Sequence, residues 1–524
     1  MVYQSSEDSL DCIFVTASSA KDAYQGLAHK YMAIEPPTWA LMLAESCRQK
    51  GFKPMIIDTL AENLTDDETI LRIKKEKPRF LCFVVYGQNV NSGTTNMSGA
   101  VRLASKIKEE KKLKQLIGFI GSHIQALPKQ TLCQESCIDI AFLNEGVYSL
   151  HNLLKSKKFE VSNLKKINGI AFKHNSKVFI TENEKSVPNE NMDNDLPGYA
   201  WDLLPYKKKP LDLYRSPFWH ANYIDEFRSP YAAIQTSLGC QFKCSFCMIN
   251  LINKNDNAEI GIADKYNKMR HWSVSFVEHE FKKLIALGVN TIRITDEMFL
   301  LNKKYYIPII NSLIKLNKND KLKIWVYSRI DTVPNPEILK KIRKAGIRWL
   351  ALGIESANKK IRLEISKGKF EQVKVNEVVK QIEDADINVM ANYIYGLPGD
   401  TKKTIEETFS LSTDLNTLGW NTYPVIALPG SPLYFEALLM NKKLPKKYEE
   451  FSFHSYETIP LENEYLKGYE ILSLRDNNFE KYFQRKSFKE KIKKKFGNIA
   501  LMNINEMLKV KVKRRLIDEN KNSV

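Results

Sequence analysis

Short apolar segments alternate regularly with segments of helical periodicity along this chain. The alternation runs through two separate blocks, residues 10–155 and residues 231–435. Alternating strands and helices favour parallel sheets whose faces are covered by helices. We therefore expect an α/β fold in which each block has its own hydrophobic core.

In the first block, strands and helices alternate as in a doubly wound sheet. The predicted strands are Cys12–Thr16, Met55–Asp58, Phe80–Tyr86, Leu116–Gly121 and Ile138–Leu143. Ligands of such sheets bind beyond the carboxyl ends of the strands. The residues there are small, polar or glycine, which lets a backbone approach a large flat ligand, although tight turns need the same residue types. These residues are Thr16, Ser18, Tyr86, Gly87, Gly121, Ser122, His123, Glu145 and Gly146.

The second block repeats the pattern with six predicted strands. They are Ala232–Ser237, Thr291–Thr295, Lys323–Tyr327, Trp349–Gly353, Asn388–Tyr395 and Asn421–Ala427. Between the blocks, residues 167–181 predict a β-hairpin around Asn175 and Ser176, and residues 182–195 a polar surface linker.

Three cysteines at C-x3-C-x2-C spacing follow the first strand of the second block: Cys240, Cys244 and Cys247. Three thiolates on one loop can hold three corners of a cubane iron–sulfur cluster and leave the fourth iron open. A structural zinc site needs a fourth Cys or His nearby. The next histidine, His271, lies across a long polar segment. A zinc loop and three unrelated cysteines remain the alternative interpretations.

The cysteine loop, with Phe246 before its last cysteine, resembles that of the radical S-adenosylmethionine (SAM) superfamily. The resemblance implies a partial (β/α)6 barrel and a catalytic [4Fe-4S] cluster on the three cysteines. It also implies that SAM binds at the ends of the barrel strands. Glu297 would face the SAM ammonium, with Asp296 as a helix cap or supporting residue, and Arg329 would hold the SAM carboxylate. The implied SAM-binding residues are Phe246, Glu297, Ser328, Arg329, Glu355, Ser356 and Gly396.

Some of these residues also have purely structural explanations. Arg329 precedes Asp331 and could form an ordinary ion pair, and Phe246 could simply exclude water from the cluster. Lys367-Gly368 and Pro429–Tyr434 also match the pattern of the superfamily and are expected to shape loops over the substrate.

The first block resembles the cobalamin-binding domain that precedes many radical SAM barrels. The matching segments are Glu35-Pro36-Pro37, Gly121–Pro128 and Asp139–Gly146. The resemblance implies that Pro36, Pro37 and the strand-end residues named above bind cobalamin. The D-x-H-x-x-G signature, whose histidine is the lower cobalt ligand, is absent from the sequence. We therefore expect the lower face of cobalamin to meet another group or no protein ligand.

The resemblance divides the chain into a cobalamin-binding domain (1–160), a hairpin and linker (161–230), a radical SAM barrel (231–435) and a helical basic extension (436–524). It implies methylation of an unactivated carbon through a 5′-deoxyadenosyl radical and methylcobalamin, with an external flavodoxin- or ferredoxin-type electron donor. The substrate would be a small molecule or a lipid- or sugar-linked one. Ring-forming and oxidative enzymes share this architecture. The alternative from another class is a cobalamin- or redox-responsive binding module with a structural cluster.

The net charge of +18 is spread along a lysine-rich chain, so nucleic-acid binding is not expected. The local excess is at residues 481–515, where 13 lysines and arginines face two acidic residues, Glu490 and Glu506. A basic helix predicted from Phe483 to Arg515 could pack on the barrel, or contact an anionic membrane surface or a phosphate-bearing substrate. The scattered remaining cysteines, and the lack of a signal-peptide pattern, predict a reducing cytoplasmic setting.

Overall fold

The structure is a computed structural model that describes residues 10–87, 93–366 and 373–522. The first domain contains a seven-stranded sheet in the order β2-β1-β3-β4-β5-β6-β7. Its strands are β1 (Cys12–Thr16), β2 (Pro54–Asp58), β3 (Phe80–Val84), β4 (Leu116–Ile120), β5 (Ile140–Phe142), β6 (Ile170–His174) and β7 (Lys177–Ile180). Strands β1 to β5 are parallel, and their order reverses between β1 and β3, where ligands of such sheets bind.

Helices cover both faces of this sheet, so β1 and β3 are almost wholly buried. The helices of the first domain are α1 (Ala20–Tyr24), α2 (Leu27–Lys30), α3 (Thr38–Gln49), α4 (Thr59–Glu62), α5 (Asp66–Glu76), α6 (Met97–Glu109), α7 (Ser122–Ala126), α8 (Pro128–Gln134), α9 (Val147–Lys155) and α10 (Val161–Leu164).

The hairpin predicted at residues 167–181 is present as β6 and β7. Its turn residues Asn175 and Ser176 both have positive φ, as a two-residue hairpin turn requires. The hairpin belongs to the first sheet, because β6 pairs antiparallel with β5 and covers its open edge. The predicted boundary at residue 160 therefore falls between strands of one sheet.

The connecting segment ties the two domains together. It contains α11 (Met192–Asp195) and then runs without regular strands to residue 230. Arg228 is buried and donates hydrogen bonds to the carbonyls of Lys30 (2.6 Å) and Met32 (2.8 Å) in the first domain. Trp219 packs edge-to-face on Trp325 and Trp349, where it closes the lower end of the barrel.

The second domain is a barrel of six parallel strands in chain order that does not close. The strands are β8 (Tyr231–Ile234), β11 (Thr291–Ile294), β12 (Lys323–Arg329), β13 (Ile347–Glu355), β14 (Asn388–Tyr395) and β15 (Gly419–Pro424). A small antiparallel pair, β9 (Ser237–Gly239) and β10 (Met269–His271), lies beside the barrel. The sheet edges β8 and β15 leave one side open. The α/β class and partial barrel predicted from the sequence are confirmed.

Helices alternate with these strands and form the outer layer. They are α12 (Val274–Ala286), α13 (Lys303–Leu316), α14 (Pro336–Lys344), α15 (Lys359–Ser366), α16 (Val375–Asp384), α17 (Lys402–Leu415) and α18 (Pro432–Leu439). Residues Lys367 and Gly368, expected to shape a loop, lie outside the described residues.

The C-terminal region contains α19 (Gly468–Gln484), α20 (Lys486–Met507) and α21 (Arg515–Asn522). The single basic helix predicted from Phe483 to Arg515 is wrong. Arg485 has extended backbone angles, Gly497 interrupts α20 with φ +86°, and residues 510–514 are not helical. Helix α20 packs on the barrel through Phe488 and Ile492, which are fully buried.

In the described part of the chain, every helix is too short or too polar to serve as a membrane span.

Candidate active site

The three cysteines lie on a loop that follows β9 and precedes a short 3-10 helix at Ile249–Asn253. Asn250 fixes this loop from within: its Oδ1 accepts the Cys240 N–H at 2.8 Å, and its Nδ2 donates to the Phe242 carbonyl at 3.3 Å. The Cys240 Sγ accepts the Phe242 N–H at 3.4 Å. These bonds set the shape of the loop independently of any bound group.

The chemistry of this donor set fits an iron–sulfur cluster. Burial raises the pKa of Cys240 to about 12 and that of Cys244 to about 11, and it raises the pKa of Cys247 as well. Buried thiols of this kind ionise when a cationic centre binds them. Within residues 10–87, 93–366 and 373–522, no three His, Cys, Asp or Glu side chains are arranged around a single-ion site. Three thiols on one loop match the ligand set of a cubane cluster with an open iron.

Asp296, after β11, ties the cluster loop to the barrel. Its buried carboxylate accepts hydrogen bonds from the Thr236 N–H (2.6 Å), the Thr236 Oγ1 (2.5 Å) and the Ser237 Oγ (2.6 Å). Desolvation raises its pKa, and these hydrogen bonds oppose the rise. Asp296 is thus a positioning residue for the strand that leads into the cysteines.

Two carboxyl groups at the barrel mouth, Glu297 and Glu355, have unusual surroundings. Burial raises the pKa of each to about 7; Arg293 opposes the rise at Glu297, and Arg329 opposes it at Glu355. Glu355 has φ +63°, and the β13–β14 register shifts between Gly353 and Glu355. A non-glycine residue with left-handed angles is strained, and such strain concentrates at functional sites. Both groups suit a cationic ligand, which would favour their ionised form.

Arg329 lies against the cysteine loop. Its Nε donates to Asp331 Oδ1 at 2.6 Å, and its guanidinium carbon lies 3.6 Å from the centre of the Phe242 ring. It also lowers the pKa of Cys244 by charge and hydrogen bonding. Ser328, the preceding residue, shares a 2.7 Å hydrogen bond with Thr332.

The other predicted SAM-binding residues have structural contacts of their own. Ser356 is buried and shares a 3.3 Å hydrogen bond with Thr408. Gly396 has φ +87°, and an added Cβ would lie 2.6 Å from the Ile471 side chain of α19. Phe246 is partly buried against the apolar cluster that contains Leu397.

A cavity lies between the carboxyl ends of the first sheet and the mouth of the barrel. Six of the predicted cobalamin-binding residues line it: Thr16, Ser18, Pro36, Pro37, Tyr86 and Gly87. The barrel contributes Leu238, Gly239 and Glu297 to the opposite wall. The two strand-end surfaces that the sequence predicted separately therefore face one space, which we call the first cavity.

The remaining predicted cobalamin-binding residues, which are Gly121, Ser122, His123, Glu145 and Gly146, do not line the first cavity. Glu145 instead forms a buried ion pair with Arg270 at 2.6 Å. His123 has its Nδ1 3.3 Å from Thr94 Oγ1, and burial lowers its pKa to about 4.

Sequence reasoning missed Glu35, which lies between the domains. Its carboxylate accepts two hydrogen bonds of 2.7 Å from Arg293 of β11, and the Tyr231 hydroxyl lies 3.2 Å away. Glu35 is the first residue of the Glu35-Pro36-Pro37 segment, so the sequence did mark this position. Its partner Arg293, however, is 258 residues away. Asn250 was also missed, because an asparagine beside a cysteine loop has no distinctive spacing.

Comparisons with known proteins concern the barrel segment and the overall fold. Residues 234–412 match the Radical SAM superfamily. An uncharacterized methyltransferase from Pyrococcus horikoshii is 26% identical over 424 residues, covering 80% of this chain and 82% of that protein. An anaerobic magnesium-protoporphyrin IX monomethyl ester cyclase from Cereibacter sphaeroides is 24% identical over 468 residues, covering 86% of this chain and 68% of that protein.

Two solved structures share the fold. The methyltransferase TsrM from Kitasatospora setae, with cobalamin and a [4Fe-4S] cluster bound, superposes with a TM-score of 0.61 at 14% identity, covering 82% of this chain and 78% of that one. The enzyme OxsB, with aqua-cobalamin and SAM bound, has a TM-score of 0.55 at 16% identity, covering 94% of this chain and 63% of that one.

The cysteine loop and the barrel strands β11 to β14 lie within the residues, 234–412, that match the Radical SAM superfamily. More particularly, the two-domain fold of the chain is the fold of TsrM and OxsB.

Proposed function

We propose that the protein is a cobalamin-dependent radical SAM enzyme that methylates an unactivated carbon. One observation carries this proposal: the carboxyl ends of two parallel sheets face the first cavity, with small residues on one side and Glu297 beside the cysteine loop on the other. When bound, the cluster and SAM would supply a 5′-deoxyadenosyl radical that removes hydrogen from carbon, and cobalamin would supply the methyl group.

In this proposal, the residues of the chain bind and orient the cofactors. Cys240, Cys244 and Cys247 hold the cluster, and Glu297 and Glu355 offer carboxylates to the polar groups of SAM. The six first-domain residues on the first cavity meet cobalamin mainly through shape and backbone groups. The other predicted cobalamin-binding residues would pack beneath that surface without lining the cavity; they are Gly121, Ser122, His123, Glu145 and Gly146. The Glu35–Arg293 pair holds the two domains in register.

Ring formation is the second candidate function, because two relatives named as cyclases align over 86% of this chain. Two relatives named hopanoid C-2 and C-3 methylases align over 38% and 65% of it and support methyl transfer instead. A role as a binding module is less well supported, since it gives no reason for two carboxyl groups with raised pKa beside the cysteines.

Anaerobic incubation of the reconstituted protein with SAM and a reductant tests the proposal. We expect 5′-deoxyadenosine from the native protein and none from the protein lacking all three loop cysteines. SAM with a deuterated methyl group should pass its label to enzyme-bound cobalamin in a methyltransferase, whereas a cyclase needs no such transfer. Absence of 5′-deoxyadenosine from protein with a full cluster would contradict the enzyme proposal.

We propose further that cobalamin binds without a histidine ligand from the protein. Within the described residues, no histidine lines the first cavity. The electron paramagnetic resonance spectrum of bound cob(II)alamin should therefore be the same in native and His123→Ala proteins. Nitrogen hyperfine splitting traceable to His123 or to any other protein histidine would contradict this.

Two partners complete the proposal, an external flavodoxin- or ferredoxin-type electron donor and an anionic membrane surface. The membrane proposal is supported by exposed side chains of α20: Lys493 and Lys494 are exposed before the break at Gly497, and Ile499 and Met502 are 60% and 65% exposed after it. Co-sedimentation with phosphatidylglycerol vesicles, compared with Lys493→Glu/Lys494→Glu protein, tests it.

The eight free cysteines support a reducing cytoplasmic setting.

A further inference from the structure

A second cavity lies inside the barrel and along its open side. Each of five neighbouring strands contributes an inward-facing side chain to its wall, and these are Arg293, Trp325, Ala351, Met390 and Tyr423. No residue of the cysteine loop is among the described residues that line this cavity. A cavity lined by several strands of a barrel can enclose a large part of the surface of a bound molecule.

The walls of the second cavity are mostly aromatic and aliphatic. Trp219 and Trp325 lie at its lower end with ring centres 4.7 Å apart. On the open side, Phe479 and Phe483 of α19 lie 4.8 Å apart, and Leu508 after α20 completes the wall. Such surfaces favour ligands with apolar bodies, which gain free energy by leaving water.

The charged side chains that line the second cavity in the described residues pair with one another. Arg293 pairs with Glu35 at 2.7 Å. Arg475 pairs with Asp476 at 2.8 Å, and Lys511 pairs with Glu480 at 2.6 Å. His454 also lines the cavity, and burial lowers its pKa to about 3, so it is neutral. The Arg293–Glu35 and Arg475–Asp476 pairs are largely buried, whereas Lys511 and Glu480 are about half exposed at the edge of the cavity. An ionised ligand inside the cavity would therefore have to break a buried ion pair or lie without a counter-ion, and either is costly.

The second cavity adjoins the first one. Tyr24, Met32 and Glu35 line both of them, so a molecule in the barrel would reach the space beside the proposed cobalamin surface. We propose that the second cavity is the substrate site and that the substrate is an uncharged, largely apolar molecule of the ring-system or isoprenoid class. Its role as methyl acceptor rests on the proposed function, whereas its binding does not.

A matched pair of probes tests the charge selectivity. 1-Pyrenebutanol and 1-pyrenebutyrate share the same ring system and chain length and differ in charge. In equilibrium dialysis with the reconstituted protein, we expect about one bound 1-pyrenebutanol per chain, with at least tenfold weaker binding of 1-pyrenebutyrate. Equal or tighter binding of the carboxylate, or no saturable binding of either probe, would overturn the proposal.

Three variants locate the binding. Leu508→Trp at the open side and Ala351→Trp in the interior should each weaken 1-pyrenebutanol binding at least tenfold. Ile499→Trp, an aromatic substitution on the exposed side of α20, should leave it unchanged. If Ala351→Trp does not fold, Leu508→Trp decides. Native-like binding in folded Leu508→Trp protein would overturn the assignment of the cavity.

A fourth variant tests the ion-pair argument. Asp476→Asn leaves Arg475 without the carboxylate that it pairs with and should shift the preference several-fold toward 1-pyrenebutyrate. An unchanged preference in the folded variant would overturn the argument from paired charges. Iron content and 5′-deoxyadenosine formation are measured on the same samples. Loss of 5′-deoxyadenosine formation with normal probe binding would count against the proposed function alone. Normal 5′-deoxyadenosine formation without probe binding would count against the cavity alone.

Discussion

The two sheet edges that face the first cavity differ sharply in their chemistry. The first sheet offers Ser18, Gly87 and prolines, and its Asp58 is already engaged by two N–H groups of α4 and by the Tyr214 hydroxyl. The barrel edge carries three thiols and the carboxyl groups of Glu297 and Glu355. A large, nearly neutral ligand is recognised through shape and backbone approach, whereas a small ionic ligand needs charges in place.

The largest expected effect comes from removing the thiols of the barrel edge. Replacing Cys240, Cys244 and Cys247 together by Ala should abolish the brown absorbance and lower iron from about four per chain to none. The reason is that, among the described residues, no cysteine of the first domain lines the first cavity. Iron and absorbance measurements after anaerobic reconstitution check this.

The control for that experiment is Cys133→Ala/Cys137→Ala. These two thiols belong to the first domain and lie outside the first cavity, so iron content should be unchanged. Stoichiometric zinc without iron in the native protein would contradict the cluster assignment and favour the structural zinc alternative.

The sequence predicted this part of the site because its ligands are local. Cys240, Cys244 and Cys247 lie on one loop, and strands β1 and β14 match their predicted bounds because both segments are largely apolar. Long-range contacts have no such signal. Residues 258 positions apart form the Glu35–Arg293 pair, and a hydropathy pattern does not encode which side chains meet across two domains.

The C-terminal helix illustrates a second limit. Its basic, amphipathic pattern continues past Arg485 and Gly497, where the backbone leaves the helical region. Tertiary contacts decide such breaks: Arg485 donates to the Thr413 carbonyl at 2.7 Å and to Asn416 Oδ1 at 2.9 Å. Helix periodicity alone could not locate them.

The next largest effect is expected for Glu355→Gln. The change keeps the shape but removes the charge that would meet SAM, and loss of a charge-assisted hydrogen bond costs about 1.5–3 kcal/mol. The SAM dissociation constant should rise roughly 10- to 150-fold at full iron content. Glu337→Gln, an exposed position on α14, is the matched control and should bind SAM normally. Native affinity in Glu355→Gln protein would return this residue to a structural role.

A smaller effect is expected from pH, and it sharpens the contrast between the two edges. Burial raises the pKa of Glu297 and Glu355 to about 7, and the SAM ammonium favours their ionised forms. Above about pH 7 the carboxylates are already ionised. Below it, binding must release a proton, so SAM affinity should fall by about tenfold per pH unit for each coupled carboxyl group.

Titrations at several pH values between 6 and 8 measure this dependence. Glu297→Gln should flatten it, because one of the two titrating groups is gone. Cobalamin binding should change less over the same range, because the Asp58 carboxyl at the first-sheet edge, whose pKa burial raises to about 6, is ionised over most of it. A SAM affinity independent of pH would contradict the assignment of both carboxyl groups.

The smallest effect is expected for Arg329→Ala, and it separates two roles for this residue. Because Arg329 already pairs with Asp331 and contacts Cys244, we expect its charge to act mainly on the cluster. Removing a nearby cation disfavours the reduced cluster, so the reduction potential should become more negative by roughly 60 mV, about a tenfold change for one electron. Potentiometric titration measures this, and Arg329→Lys should restore the potential if charge is the cause. If the potential is unchanged while SAM affinity falls more than tenfold, Arg329 instead holds the SAM carboxylate, as the sequence resemblance implied.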